Sequence, residues 1–322
     1  MFENFINNVV KNTQVPLVVA FTPSYFIPVC TCLFSVFANT KYKQMLHVIC
    51  LLTEDLPEDM RKALIALGEG EVEFSFINLA GQLPADIYID EKYTIAASYR
   101  LLIPELLPTL DKILYIDCDM IFRNDLVELY RSTDLTNNYM AGVFEATLDF
   151  QEKNMRAIGC EPGEYINSGL LLMNLKKLRE DNMVEKFMSA AKTPGLEFPD
   201  QDVINQLCKG KILGLPPYWN SIRTFLLPQY KRAFLKYYRQ EDWADVQRKG
   251  NVHYTGPKPW NTFTVAFDIW WYWFEKLPSP VKVTASYPKK LHVLSKVYGT
   301  LLGKKLVDAV RGIVRNVKSS TA

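Results

Sequence analysis

From Val15 onward, short runs rich in Val, Ile and Leu alternate with longer stretches in which apolar and polar residues mix. Val15 to Phe21 reads as a first strand, ended by a turn at Thr22-Pro23-Ser24. A helix from Tyr25 to Ala38 follows, then a strand at Met45 to Leu52, a helix opened by Pro57 and running to Leu67, and a strand at Val72 to Leu79. That alternation predicts an α/β fold built on a parallel sheet. Thr94 to Leu107 reads as a helix carrying Arg100, which delivers the chain into Ile113 to Phe122, Ile-Leu-Tyr-Ile-Asp-Cys-Asp-Met-Ile-Phe. Farther on, Leu170 to Leu175 is a β-like run and Pro199 to Cys208 reads as a helix.

The segment ending at Asp117 and Asp119 holds the most telling chemistry. A buried strand that ends in two carboxylates puts charge where open α/β sheets bind ligands, and two acids one residue apart can share a divalent cation. Oxygen ligands favour Mg²⁺ or Mn²⁺. The plainer reading is a pair of acids opening a surface turn. The turn after the first strand has no glycine fingerprint, which disfavours a dinucleotide enzyme. Gly163 to Gly169 precedes the Leu170 run, so Asn167, Ser168 and Gly169 sit at a strand entrance, as turn chemistry or as groups facing a sugar. Pro199-Asp200-Gln201-Asp202 begins a helix with acids in its first turn. In Val252-His253-Tyr254-Thr255-Gly256-Pro257-Lys258-Pro259-Trp260 two prolines and a glycine predict a rigid loop from which His253 and Lys258 project. One histidine with two carboxylates makes a plausible metal shell.

Composition changes this picture at the C-terminus. A net charge of only +2 does not point to nucleic acid. Yet Leu306, Val310, Ile313, Val314 and Val317 follow helical spacing beside a stripe of Lys304, Asp308, Arg311, Arg315 and Lys318, with Lys289, Lys290, Lys296 and Lys305 adding basic charge. This stretch reads as an interfacial membrane helix or as a basic helix docked on the core. The run Trp270-Trp271-Tyr272-Trp273-Phe274 belongs either to that interface or to the core. Six cysteines without paired metal spacing or a disulfide framework suggest reduced thiols in the cytoplasm, and neither a secretory signal nor an apolar run of spanning length is present.

Taken in order, Leu114-Tyr-Ile-Asp117-Cys-Asp119, Tyr165-Ile-Asn167-Ser-Gly169 through Asn174-Leu-Lys-Lys, Asp200-Gln201-Asp202 and His253-Tyr-Thr-Gly256-Pro-Lys258-Pro-Trp260 resemble glycosyltransferase family 8, and most of all its bacterial lipopolysaccharide and lipooligosaccharide galactosyl- and glucosyltransferases. The resemblance covers about Val15 to Trp260. It implies a GT-A architecture, a Rossmann-like nucleotide-sugar-binding mixed sheet flanked by helices. It also implies a UDP-hexose donor, Mn²⁺ (or Mg²⁺) and retention of anomeric configuration. Asp117, Asp119 and His253 match the metal positions. Gly256 and Lys258 match the loop that closes on the diphosphate, and Asp117 and Cys118 are expected beside the nucleotide. Arg100, Asn167, Ser168, Asp200 and Gln201 would line the donor sugar. Asp200 and Gln201 are the catalytic candidates, with double displacement and same-face attack both open. Family members often carry acidic and amide residues after the first strand, where this chain has Thr22-Pro23-Ser24; Ala20, Thr22 and Tyr25 are the residues left to hold the uridine.

The expectation is therefore a transferase domain over residues 1–278 and a basic amphipathic membrane-association segment over 279–322. A glycan acceptor, lipid-linked and belonging to cell-surface polysaccharide or lipopolysaccharide core, would be met on the inner face of the cell membrane. Two other readings compete: a metal-dependent phosphatase of the haloacid dehalogenase type, whose pattern has Thr or Val where this chain has Ile121, and a non-catalytic peripheral membrane protein.

Overall fold

The computed structural model describes residues 13–89, 94–282, 288–300, 302–303 and 305–306. Its main sheet has seven strands in the order β3-β2-β1-β4-β7-β6-β8. They are β1 (Val15–Phe21), β2 (Leu46–Leu52), β3 (Glu73–Asn78), β4 (Lys112–Ile116), β6 (Met140–Phe144), β7 (Ile166–Asn174) and β8 (Ile212–Gly214). β5 (Met120–Ile121) and β9 (Val252–His253) form a second, two-stranded sheet. β3, β2, β1 and β4 run parallel, while β7 is antiparallel to both β4 and β6. The sheet is thus mixed and mostly parallel, flanked by helices on both faces.

β1, β2 and β4 are almost wholly buried, as expected of strands covered on both faces. Side chains alternate between two cores: Leu17, Val19, Leu114 and Ile116 join one, and Val18, Ile113 and Tyr115 the other. This topology fixes where the chemistry gathers. The C-terminal ends of β1, β4 and β6 and the N-terminal end of β7 lie along one edge of the sheet.

Three sequence expectations need correction. The helix from Thr94 to Leu107 is broken into Ile95–Ser98, a 3₁₀ turn Tyr99–Leu101 and Ile103–Leu106. Pro104 has no N–H to offer the Arg100 carbonyl four residues back, so the helix cannot continue through it. Asn167, Ser168 and Gly169 are not a turn at a strand entrance but part of β7, whose turn lies upstream at Gly163 (φ 84°). β6 and β4 hold both edges of this stretch, with Asp117 N–H donating to Gly169 O at 2.7 Å. His253 likewise stands in a strand and not in a loop, since β9 pairs with β5.

Trp270, Trp271 and Phe274 are core residues of the helix Phe267–Lys276. They also brace the loop that follows β9: Trp270 packs on Trp260, and Trp271 Nε1 donates to the Pro259 carbonyl at 3.1 Å. Ser279–Lys282 and Lys289–Tyr298 are helical. The second docks on the core through buried Leu291 and Tyr298, with His292 stacked on Trp271. Leu306 is 64% exposed, and the remaining apolar positions of the stripe predicted from the sequence, Val310 to Val317, lie outside the described residues. No helix among the described residues is long and apolar enough to cross a membrane.

Candidate active site

At the functional edge of the sheet lies a cleft of about 600 Å³. Of the residues singled out in the sequence for metal, nucleotide, sugar or catalysis, all but Gly169 line it. Ala20, Thr22 and Tyr25 come from the end of β1 and the turn after it, and Asp117, Cys118 and Asp119 follow β4. Asn167 and Ser168 come from β7, Asp200 and Gln201 from the helix Pro199–Cys208, His253 from β9, and Gly256 and Lys258 from the loop beyond. Arg100 enters from the 3₁₀ turn.

Asp117, Asp119 and His253 each bring a donor atom within 4.8 Å of the others. The β5–β9 pairing makes this possible, because it sets Met120 opposite His253 and lets Tyr254 N–H donate to Asp119 O at 3.1 Å. His253 Nε2 lies 3.2 Å from Asp119 Oδ1 and 3.8 Å from Asp117 Oδ2. Two carboxylates and an imidazole are a fitting donor set for Mn²⁺ or Mg²⁺. Lys258 Nζ is paired with Asp119 Oδ2 and donates to the Tyr254 carbonyl at 2.7 Å. Burial works against the Asp119 carboxylate, but Lys258 and His253 outweigh it and hold its pKa well below the usual carboxylate range. Glycine at 169 is required here: a Cβ would stand 2.2 Å from His253 Cε1 and 2.9 Å from Asp117 Oδ2.

The imidazole tautomer follows from fixed donors. Gly169 N–H can only donate, so the atom it meets at 3.1 Å is Asn167 Oδ1, and Asn167 Nδ2 turns to Glu145 Oε1 at 3.2 Å. Fully buried Asn220 must then give its Nδ2 to Asn167 Oδ1 at 2.9 Å, leaving its own Oδ1 to accept from His253 Nδ1 at 2.9 Å. With Nδ1 committed to Asn220, Nε2 is the ring nitrogen that faces the two carboxylates. No local pattern in Pro-Pro-Tyr-Trp-Asn marks Asn220 for this role.

Beside the acids, buried Arg100 ties the site together. It donates to Asp117 Oδ1 at 2.8 Å, pairs through Nε with Asp200 Oδ2 at 3.0 Å, and reaches Ser168 Oγ at 2.8 Å from Nη1. Burial opposes its charge, yet the two carboxylates raise its pKa, so it stays a cation. Gln201 is held on both sides of its amide. Oε1 accepts Ser168 N–H at 2.9 Å, and Nε2 donates to Tyr165 Oη at 3.1 Å and to Glu145 Oε1 at 3.4 Å. Cys118 lines the wall as a protonated thiol, since burial pushes its pKa far up.

Glu145 is the carboxylate that the sequence reading missed. It follows β6, at the end of Met-Ala-Gly-Val-Phe, so it repeats the run-then-acid pattern of Asp117. Burial raises its pKa, and the Asn167 and Gln201 amides moderate the shift. A raised carboxyl pKa favours the folded state below the ordinary Glu value of about 4.3, and that contribution is lost as pH rises through the folded value. Glu145→Gln keeps an acceptor for both amides and removes a buried charge. It is expected to unfold about 2 °C or more above the parent at pH 7.5, with a gap that closes as pH falls. Differential scanning calorimetry across pH checks this, and an equal or lower melting temperature at pH 7.5 would contradict it.

A model of the family described as glycosyl transferase family 8 matches residues 16–264. Among curated relatives, the lipopolysaccharide 1,2-glucosyltransferase of Escherichia coli (strain K12) is 29% identical over 212 residues, or 61% of this chain and 60% of that one. The chain spans less than two thirds of the length of this relative and of the next two it matches. The solved structure of the galactosyltransferase LgtC with donor and acceptor sugar analogues superposes with a TM-score of 0.63 at 25% identity, covering 86% of this chain and 98% of that one. The apo structure of the bifunctional glycosyltransferase WbbM reaches a TM-score of 0.70 at 21% identity over 86% of this chain and 52% of that one, a likeness of fold.

Proposed function

This chain belongs to glycosyl transferase family 8, and on that premise we propose that it transfers galactose or glucose from a UDP-hexose to a glycan acceptor, with Mn²⁺ bound and with retention of anomeric configuration. The observation that carries this reading is the meeting, in one cleft, of an Asp-Asp-His cluster, the Lys258 ammonium and the Arg100-Asp200-Gln201 network. Asp117, Asp119 and His253 would hold the ion, which when bound supplies positive charge to the departing diphosphate. Lys258 neutralises the same oxygens from the loop, and Gly256 beside it (φ 88°) lets the backbone turn there. Ala20, Thr22 and Tyr25 hold the uridine at the β1 end, where Trp260 packs edge-on against Tyr25. Arg100, Asn167, Ser168, Asp200 and Gln201 face the hexose.

The two catalytic candidates from the sequence differ in what they can do. Asp200 is a carboxylate already shared with Arg100, and Gln201 is locked by its hydrogen bonds. Both suit orientation of the hexose and support of charge as the sugar becomes oxocarbenium-like. Glu145, whose Oε1 alone is hydrogen-bonded among the described residues, is the group we assign to accept the acceptor hydroxyl proton. The family match disfavours the phosphatase reading.

Slow donor hydrolysis, which needs no acceptor, tests the reading directly. UDP release is expected from UDP-galactose or UDP-glucose in Mn²⁺; release from neither would overturn it. In the same assay Lys258→Ala should lower kcat and kcat/KM together by about 10²-fold, the scale of a single electrostatic donor. An unchanged kcat would remove Lys258 from the leaving-group side.

We also assign the segment 279–322 to an anionic membrane surface where a lipid-linked acceptor is presented. Exposed Val293, Val297, Leu302 and Leu306 stand among exposed Lys290, Lys296 and Lys305, which supports that assignment. Because Lys289–Tyr298 is seated on the core, the informative truncation ends at residue 300 and leaves that helix in place. This truncated chain should hydrolyse donor at the parent rate but co-sediment less with phosphatidylglycerol vesicles, since Leu302, Lys305 and Leu306 go with the deleted residues. Undiminished co-sedimentation at physiological salt would contradict a membrane role for the remainder.

A further inference from the structure

We propose that a second cavity beside the donor cleft is a saccharide subsite, which binds the acceptor sugar next to the one that receives the hexose, so that the acceptor is at least a disaccharide. This rests on the transferase reading above. The cavity, about 150 Å³, lies between the helix Glu152–Ala157 and the turn Gly195 to Phe198, over a floor of Tyr165 and Asp202.

Its position is the first argument. Gln151 and Phe198 line both the cavity and the cleft. Tyr165 Oη accepts from Gln201 Nε2 at 3.1 Å and donates to Asp202 Oδ1, so the cavity floor is one hydrogen bond from a cleft residue. That places it at the Glu145–Gln201 end, where an acceptor hydroxyl is needed, and not at the Ala20–Tyr25 end.

Charge is the second. Glu197 and Asp202 line the cavity and no Lys or Arg does, whereas Arg100, Arg223 and Lys258 line the cleft. Such a wall repels phosphate and nucleotide and suits a neutral polyol whose hydroxyls donate to carboxylates and amides. Asp202 is committed to the wall, as its Oδ2 accepts Phe198 N–H at 3.0 Å. Asn154 Nδ2 and Glu197 Oε2, 2.7 Å apart at the exposed rim, can exchange that bond for sugar hydroxyls.

Shape completes the match. Met155, Ile158, Leu196 and Phe198 offer an apolar surface for the C–H face of a pyranose. Gln151 Oε1 is fixed by Leu148 N–H at 2.9 Å, which turns Nε2 to a ligand. At about 150 Å³ against about 600 Å³ for the cleft, the cavity is the smaller of the two and suits a single sugar ring rather than a nucleotide.

The test uses the full chain saturated with UDP and Mn²⁺, titrated with lactose, maltose, cellobiose and melibiose and with their component hexoses, and read by saturation-transfer NMR. At least one disaccharide is expected to bind about tenfold or more tighter than its hexoses. Ala157→Trp, at an exposed helical position on the cavity wall, should abolish that advantage, and Asn154→Ala should reduce it, each with parental UDP affinity. No disaccharide outbinding its hexoses, or an advantage that survives Ala157→Trp, would overturn the subsite. Failure of the parent chain to bind UDP would instead strike the transferase reading beneath it.

Discussion

An Asp119→Ala chain is expected to lose about 10³-fold or more in kcat/KM and to bind UDP no better with Mn²⁺ than without it. Asp119 is the hinge of the cluster: one oxygen faces His253 Nε2 at 3.2 Å and the other holds Lys258. Removing it takes away one of the proposed metal ligands and leaves two basic groups facing an uncharged methyl. The loss is also one of stability. The pKa of Asp119 is depressed in the fold, so its contribution is present above the ordinary Asp value of about 3.9 and disappears as pH falls through the folded value. The alanine chain should therefore melt below the parent at pH 7, and the difference should narrow in acid. It should still fold, because Lys258, at 22% side-chain exposure, can turn its ammonium to water. Steady-state kinetics and calorimetry on one preparation check both parts, and near-parental kcat/KM would contradict the assignment of Asp119.

The second large effect comes from a single methyl group. Gly169→Ala adds a Cβ 2.2 Å from His253 Cε1 and 2.8 Å from Nδ1, far inside contact distance. The strand cannot retreat, since Gly169 O anchors Asp117 N–H and its own N–H is bonded to Asn167. The ring cannot retreat freely either, because Asn220 and the β5–β9 pairing hold it. What gives way is thus His253, one of the proposed metal ligands. Turnover should fall about 10²-fold or more, in line with misplaced groups at a reacting centre. Overpacking should destabilise the fold by only about 1–3 kcal/mol, so the variant remains soluble and testable. Electron paramagnetic resonance of Mn²⁺ reads the site without turnover, and parental Mn²⁺ affinity would show that Gly169 has no such role.

How much of this was readable in advance depends on whether a signal was local. β1 and the helix Pro199–Cys208 fall on the residues that their apolar runs and turn residues announce. Asp117 and Asp119 stand out because charge after a buried run is locally anomalous. Glu145 carries the same mark after β6 and could have been found by it. Asn220 could not, since its meaning arises only when the Asn167–Gly169 stretch of β7 and His253 converge on it from distant parts of the chain. The antiparallel course of β7 was equally hidden, because a continuous apolar run looks alike in either direction. It brings Asn167 and Ser168 to the same edge as Asp117, so residues read at a strand entrance, as turn chemistry or as groups facing a sugar, stand within a strand on the cleft wall. The aromatic run Trp270 to Phe274 was ambiguous for another reason: composition does not distinguish a buried face from an interfacial one.

The central claim is that Asp117, Asp119 and His253, with Lys258, hold a divalent ion against a nucleoside diphosphate. Isothermal titration of UDP into the full chain, once with Mn²⁺ and once with EDTA, tests it most directly. The account predicts measurable affinity in Mn²⁺ that falls at least about tenfold in EDTA. Equal affinity in the two titrations would contradict it.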